Sequence, residues 1–274
     1  MTKTCINISD LKRITQNFYI ETGVDFRQYA DSSLKYRVER IMKSYNLLTA
    51  DELLQLMRGN KQFHDNFIFE IQVPETEFFR DAEMWIAFQK QILPKLAKKS
   101  KVQIFVPGAT TGDELYSLMF FLHKAQILEQ CEITVSVLHK KNELSIQQAV
   151  YSTKKLDQTK KNLEMINPDL KPDDIFSIKP DTFVPKIRIG ENVKFIYGDL
   201  SSLDFQNKFD LIVFRNKLLY FNEKSHKESI RSLYDALQKN GYLILGIGED
   251  PGELYKRRLK ESVKGERIYK KTGL

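Results

Sequence analysis

Residues Lys101 to Leu118, KVQIFVPGATTGDELYSL, constrain this chain more than any other stretch. A short apolar run, Val102 to Val106, leads into a turn of small residues, Pro107-Gly108-Ala109-Thr110-Thr111-Gly112. Two acids follow, Asp113 and Glu114, and then Leu115, Leu118, Met119 and Leu122 at helical spacing. Strand, glycine-containing loop and helix with acids in its first turn form the opening unit of a nucleotide-type α/β fold. Glycine lets the backbone approach a ligand closely, and the helix start offers unpaired N–H groups. The same pattern also describes a plain tight turn between strand and helix, so its neighbours have to decide.

The segments that follow extend the pattern. Glu132 to Leu138 alternates and is β-branched, Val193 to Tyr197 ends at Gly198-Asp199-Leu200, and Phe209 to Phe214, apolar but for Asp210, reads as a buried strand. Tyr242 to Gly246, after Asn240-Gly241, reads as a fifth strand. Helical patterns lie between them over Asn142 to Val150 and Glu223 to Leu237. Strands alternating with helices predict a mainly parallel sheet covered on both faces, with ligands outside the carboxyl ends of the strands. The loops at that end are 107–112, 138–140, 198–200 and 215–220. Ile175 to Ile178 and Lys186 to Ile189 read as two short strands of a small antiparallel insert, about 171–192, and the tail around Lys264-Gly265 as a closing hairpin.

Residues 9 to 70 read as helices. Ser9 is placed to cap the first, which ends at Gly23. Asp31 or Ser32 would cap a second, apolar at Leu34, Val38, Ile41 and Met42 and basic at Lys35, Arg37, Arg40 and Lys43. Thr49 with Glu52 forms a capping box for a third, and a fourth runs through Phe63, Phe67 and Ile68. The expected organisation is a helical domain over 1–72 and an α/β domain over 73–274. The basic helix suits docking onto an acidic partner, and equally a solvated face.

Composition narrows the class. With 274 residues, 42% hydrophobic content, 18 Phe and 12 Tyr, a packed core is affordable. The net charge of +7 admits acidic partners. The two cysteines, Cys5 and Cys131, are too far apart in sequence to suggest a disulfide framework or a metal site, which fits a reducing compartment. No apolar run approaches the roughly 18 residues a membrane span needs. The expectation is a soluble cytoplasmic protein with no metal.

Taken together, the motifs resemble the chemotaxis receptor methyltransferases, the CheR family. That family's N-x-T-x-F-F-R stretch has its counterpart in Thr76, Phe78, Phe79 and Arg80, with Pro74 where Asn is usual. Its glycine loop corresponds to Ala109-Thr110-Thr111-Gly112-Asp113-Glu114-Leu115-Tyr116-Ser117. Its later motifs correspond to Phe214-Arg215-Asn216-Lys217-Leu218-Leu219-Tyr220-Phe221 and Gly241-Tyr242-Leu243. The resemblance implies a Rossmann-like S-adenosylmethionine-dependent methyltransferase with an N-terminal helical domain and a small β insert. It implies methyl transfer to glutamate side chains of chemoreceptors.

By the same resemblance, Thr76 and Arg80 contact the cofactor's amino-acid end, beside the loop at Gly108 and Ala109. Glu114 takes the methionine amino group, and Asp199 and Leu200 flank the adenine. Arg215 and Asn216 line the cofactor and acceptor side, where Arg80 and Tyr220 orient the incoming carboxylate. The basic helix, Arg37 to Lys43, is the implied docking face for acidic receptor helices, with the protein acting as a monomer. Nothing implies membrane insertion or nucleic acid, and no N-P-P-Y base-flipping motif is present.

One departure matters. Val137 and His139 stand where the family carries two acids at the end of the second strand, the first for the ribose hydroxyls. Losing a charge-assisted hydrogen bond costs about 1.5–3 kcal/mol. The nearest acid is Glu143, in the following helix. This leaves a second reading open, a degenerate binding or regulatory module that keeps the fold with weak or lost cofactor binding.

Overall fold

The computed structural model describes residues 5–72 and 77–273. The chain divides into two units, Met1–Val73 with Lys217–Glu228, and Pro74–Asn216 with Ser229–Leu274.

The first unit is helical. Helix α1 (Ile8–Thr22) is capped by Asn7, not Ser9, because Asn7 and Asp10 satisfy each other's backbone N–H groups. It stops at Gly23, where a φ of +74° turns the chain and the glycine N–H donates to Tyr19 O. Helix α2 (Asp31–Ser44) starts behind Ala30, so Asp31 is a first-turn acid rather than a cap. Helix α3 (Ala50–Met57) opens with the Thr49–Glu52 capping box, and α4 (Lys61–Ile71) is capped by Asn60. Their apolar faces meet at Phe18 and Phe67, whose rings lie 4.8 Å apart, and Phe26 from the connection between α1 and α2 packs against both. The segment 217–228 joins this unit through backbone bonds: Ala30 N–H donates to Tyr220 O and Asn222 N–H to Gln28 O. Arg37 is buried here. Its guanidinium donates to Ile71 O at 2.8 Å and to Ser33, and lies 4.5 Å from the Tyr29 ring centre.

The second unit begins with α5 (Ala82–Ala87). It continues through a widened turn, Phe88–Ile92, into α6 (Leu93–Leu96). Pro94 has no N–H for the next intrahelical bond, and the Leu93 N–H reaches back five residues to Phe88 O instead. Then come β1 (Val102–Val106), α7 (Asp113–Lys124), β2 (Cys131–Val137), α8 (Lys140–Gln148), β3 (Tyr151–Ser152) and α9 (Leu156–Ile166). The insert follows as the short α10 (Pro172–Ile175), β4 (Phe176–Ile178) and β5 (Thr182–Pro185). The fold closes with β6 (Val193–Tyr197), β7 (Phe209–Val213), α11 (Glu223–Ala236), β8 (Leu237–Ile244), β9 (Leu259–Val263) and β10 (Ile268–Lys271).

The main sheet has seven strands in the order β6-β2-β1-β7-β8-β10-β9. Strands β6 to β8 run parallel, and β10 and β9 close the edge antiparallel as the expected hairpin. The order reverses between β1 and β7, which opens a crevice above their carboxyl ends. The insert is a three-stranded antiparallel sheet, β3-β5-β4. Lys186 to Ile189 is not one of its strands. Ile187 and Ile189 satisfy their alternating apolar pattern by packing against the core, without a ladder.

Candidate active site

The loop after β1 is held by its neighbour β2. Gly108, at φ +65°, donates its N–H to Ser136 Oγ at 2.8 Å, and Ala109 N–H donates to Ser136 O. Gly112 serves packing. A Cβ at this φ of +87° would stand 3.0 Å from Ile146 Cγ2 and 3.2 Å from the Tyr151 hydroxyl, so only glycine lets α8 come this close. Of the two first-turn acids, Asp113 is consumed internally. It is fully buried and bonds Lys155 Nζ and Thr111 Oγ1, both at 2.5 Å.

Glu114 takes part in the central feature of this crevice. Arg215, delivered by β7, is buried and reaches Glu114 Oε1 through Nη1 at 3.1 Å. Its Nη2 reaches Asp81 Oδ2 at 2.5 Å and Arg80 O at 3.1 Å. The buried Nε of Arg215 has no acceptor among the described residues. Asp81 is aimed by an unusual backbone: Phe79 and Asp81 both adopt positive φ, +56° and +58°. Phe78 and Phe79 are buried, and Phe79 N–H is pinned by Ser117 Oγ at 2.8 Å. The turn after Arg215 is locked by the buried Glu249, whose Oε2 accepts from Asn216 N–H at 2.8 Å and Gly246 N–H at 2.6 Å.

At the ends of β2 and β6, Val137 is wholly buried in the core and offers nothing to a ligand. His139 is the N-cap of α8, its Nδ1 accepting from Lys141 N–H at 3.1 Å. Glu143 is nearly buried and anchored. Lys140 Nζ lies 2.7 Å from its Oε2, the Tyr197 hydroxyl donates to the same oxygen, and Gln147 donates to Oε1. Burial pushes the Glu143 carboxyl upward, but the hydrogen bonds from Lys140 and Tyr197 outweigh it and hold the group below the ordinary carboxylate range. Asp199 accepts from Leu200 N–H at 2.7 Å and starts a short turn that buries Leu200.

Of the residues singled out from the sequence, Arg80, Gly108, Ala109, Glu114, Asp199, Leu200, Arg215 and Asn216 all belong to the loops at the carboxyl end of the sheet or to the segment clasped there. Thr76 lies outside the described residues. Tyr220 lies in the helical unit, with its ring centre 5.9 Å from the Arg37 guanidinium. Asp81 and Glu249 escaped the sequence reading. The signal for Asp81 was its place directly after Phe78-Phe79-Arg80; Glu249 carried none, since its role depends on where β8 ends.

Residues 74–264 match the family described as CheR methyltransferase, SAM binding domain, and residues 9–71 its all-alpha domain. The chain belongs to the CheR methyltransferase family. Curated relatives agree across nearly the whole length. The chemotaxis protein methyltransferase 2 of Vibrio cholerae is 25% identical, covering 100% of this chain and 94% of its own. The chemotaxis protein methyltransferase of Listeria monocytogenes is 25% identical over 84% and 85% of the two chains. That of Borreliella burgdorferi is 24% identical over 89% of each. As a CheR methyltransferase domain, the second unit takes S-adenosylmethionine as its cofactor.

The residues present fit that group. A sulfonium with an ammonium and two ribose hydroxyls calls for carboxylate acceptors, and Asp81, Glu114, Glu143 and Asp199 all stand at this end of the sheet. Among the described residues the Arg215 Nε is a buried donor lacking an acceptor, which the cofactor's carboxylate is chemically suited to supply.

Proposed function

We propose that this CheR-family chain methylates glutamate side chains of chemotaxis receptors. The observation that carries this reading is the clasp of Arg215 by Glu114 and Asp81 at the switch between β1 and β7, which holds the motif residues at the place where such sheets bind ligands.

S-adenosylmethionine, when bound, supplies an electrophilic sulfonium methyl group. A glutamate carboxylate is already ionised at neutral pH, with an ordinary pKa of about 4.3. The protein's work is therefore alignment. Gly108 and Ala109 shape the loop, and Glu114, already fixed by Arg215, receives the amino end. Asp199 and Leu200 would border the adenine. Arg80 remains the proposed orienting group for the incoming carboxylate. Glu143 takes the part of the missing strand-end acid. Lys140 and Tyr197 hold it ionised at the end of β2, and Tyr197 is the register partner of Val137. That supply of a carboxylate is what favours the enzyme over a cofactor-free binding module.

Receptor docking is assigned to α2 without Arg37, which is buried among Ile71, Ser33 and Tyr29. The exposed cations of that helix are Arg40 and Lys43, in line with Tyr36, which is 69% exposed.

The test is incubation of purified protein with methyl-tritiated S-adenosylmethionine and the cytoplasmic fragment of a receptor from the same cell. Base-labile methyl ester on the receptor is the expected product. Tight binding of S-adenosylhomocysteine with no transfer to any receptor fragment of the cell would overturn the substrate assignment; no cofactor binding at all would overturn the enzyme.

A further inference from the structure

A second concavity lies at the opposite end of the same sheet. It is a cavity of about 180 Å³ lined by Lys95, Leu96, Lys99, Asp210, Asn240, Tyr242 and Lys270. Asp210 is the second residue of β7, and Lys270 is the register partner of Tyr242 on β8. A five-residue strand rises roughly 15 Å, so this cavity is a strand's length from the Gly108 and Arg215 loops.

Its charges are unequal. The buried Asp210 is already satisfied three times, by Lys99 Nζ, Gln238 Nε2 and Gln103 N–H. That pairing uses up Lys99. Lys95 and Lys270 have no carboxylate partner among the described residues, and the Asn240 side chain has no hydrogen-bond partner there. Lys95 instead stands 5.4 Å from the centre of the Tyr242 ring. Two uncompensated ammonium groups and an unused amide thus border a floor of Tyr242 and Leu96. The wall is rigid. Asn240 sits at φ +64°, and a Cβ on Gly241 would meet Phe209 O at 2.9 Å, so the bulge between β7 and β8 is fixed by close packing.

We propose that this cavity binds a small organic phosphate. A phosphate group carries close to two negative charges at neutral pH, matching Lys95 and Lys270, and lysine serves phosphate well as a point charge. Tyr242 and Leu96 receive the organic part. The size sets the limit: drug- and nucleotide-sized ligands fill cavities of about 300–1,000 Å³, so a compact monophosphate suits this one and a dinucleotide does not.

The probe is phenyl phosphate, titrated calorimetrically into the full-length protein, with benzoate and chloride at matched ionic strength as controls. One saturable site is expected, with inorganic phosphate binding more weakly and the controls not at all. Lys95→Gln and Lys270→Gln should each weaken it about tenfold. Asn240→Asp, which keeps the backbone conformation but adds a negative charge, should abolish it. Affinity for S-adenosylhomocysteine should stay unchanged in all three, which confirms that the variants are folded. Benzoate binding as tightly as phenyl phosphate would overturn the phosphate assignment. Equal phenyl phosphate binding in folded variants, or no saturable heat in the wild type, would overturn the site.

Discussion

Nη1 of Arg215 lies 3.1 Å from Oε1 of Glu114, across 101 residues of chain, while Nη2 of the same guanidinium holds Asp81 at 2.5 Å. Three segments that the sequence presents as separate motifs are thereby one ionic cluster. Removing the cation leaves two carboxylates close together with little access to water. Arg215→Ala should therefore cost about 3–5 kcal/mol of stability, measured by urea unfolding. Arg215→Lys should fall between, because one ammonium does not reproduce the fork that spans both acids. A loss below about 1 kcal/mol for the alanine variant would show that the cluster is not structural.

Glu143 provides a sharper test of the cofactor site. Glu143→Gln keeps shape but removes the charge, and should weaken S-adenosylhomocysteine binding by about 10- to 100-fold. The 2′-deoxy analogue should bind wild type and variant alike, because it lacks the hydroxyl the carboxylate would accept from. Equal losses for both ligands would place Glu143 in the scaffold rather than at the ribose. Tyr197→Phe, which removes one support of the carboxylate, should show a smaller loss in the same direction.

Gly112→Ala tests the helix start. The left-handed backbone at φ +87° and the 3.0 Å approach to Ile146 both oppose a Cβ. A destabilisation of about 1–3 kcal/mol is expected. The loop carrying Gly108 and Ala109 should exchange its amide hydrogens faster, since α8 would be pushed away from it.

Alkaline pH should destabilise the α/β unit. Burial pushes the Cys131 thiol up to about 12 and the Tyr116 hydroxyl up to about 12. Unfolded, they ionise near about 8.5 and 10. A folded pKa above the unfolded one gives stability that is complete below the unfolded value and lost as pH rises toward the folded one. Unfolding free energy should thus decline progressively between about pH 8.5 and 12, and Cys131→Ser and Tyr116→Phe should flatten that decline. In native protein at pH 8, iodoacetamide should label the exposed Cys5 and spare the buried Cys131. Labelling of Cys131 without denaturant would contradict the burial argument.

Much of the fold was legible because its causes are local. The Thr49–Glu52 box and the stop at Gly23 both rest on contacts within a few residues. Where the reading slipped, a competing local option won. Asn7 displaced Ser9 because a capping box satisfies two donors where a lone serine satisfies one. Lys186 to Ile189 has the alternation of a strand but packs its half-buried isoleucines against the core without a partner strand. The helix periodicity at Arg37 could not reveal that its guanidinium turns inward to the end of α4.

By itself, the sequence determined the α/β class, the helical N-terminal segment, the ordered series of motifs and so the family, because these depend on residue type and spacing. Tertiary structure alone decided what the charged residues do. It spent Asp113 on Lys155, joined Glu114 and Asp81 through Arg215, drew Glu249 under the Asn216 turn, and left Lys95 and Lys270 without acids among the described residues. The physical reason is range. Secondary structure is set by neighbours in the chain, whereas a charge is defined by whichever groups the fold brings within a few ångströms, and how far water is kept out.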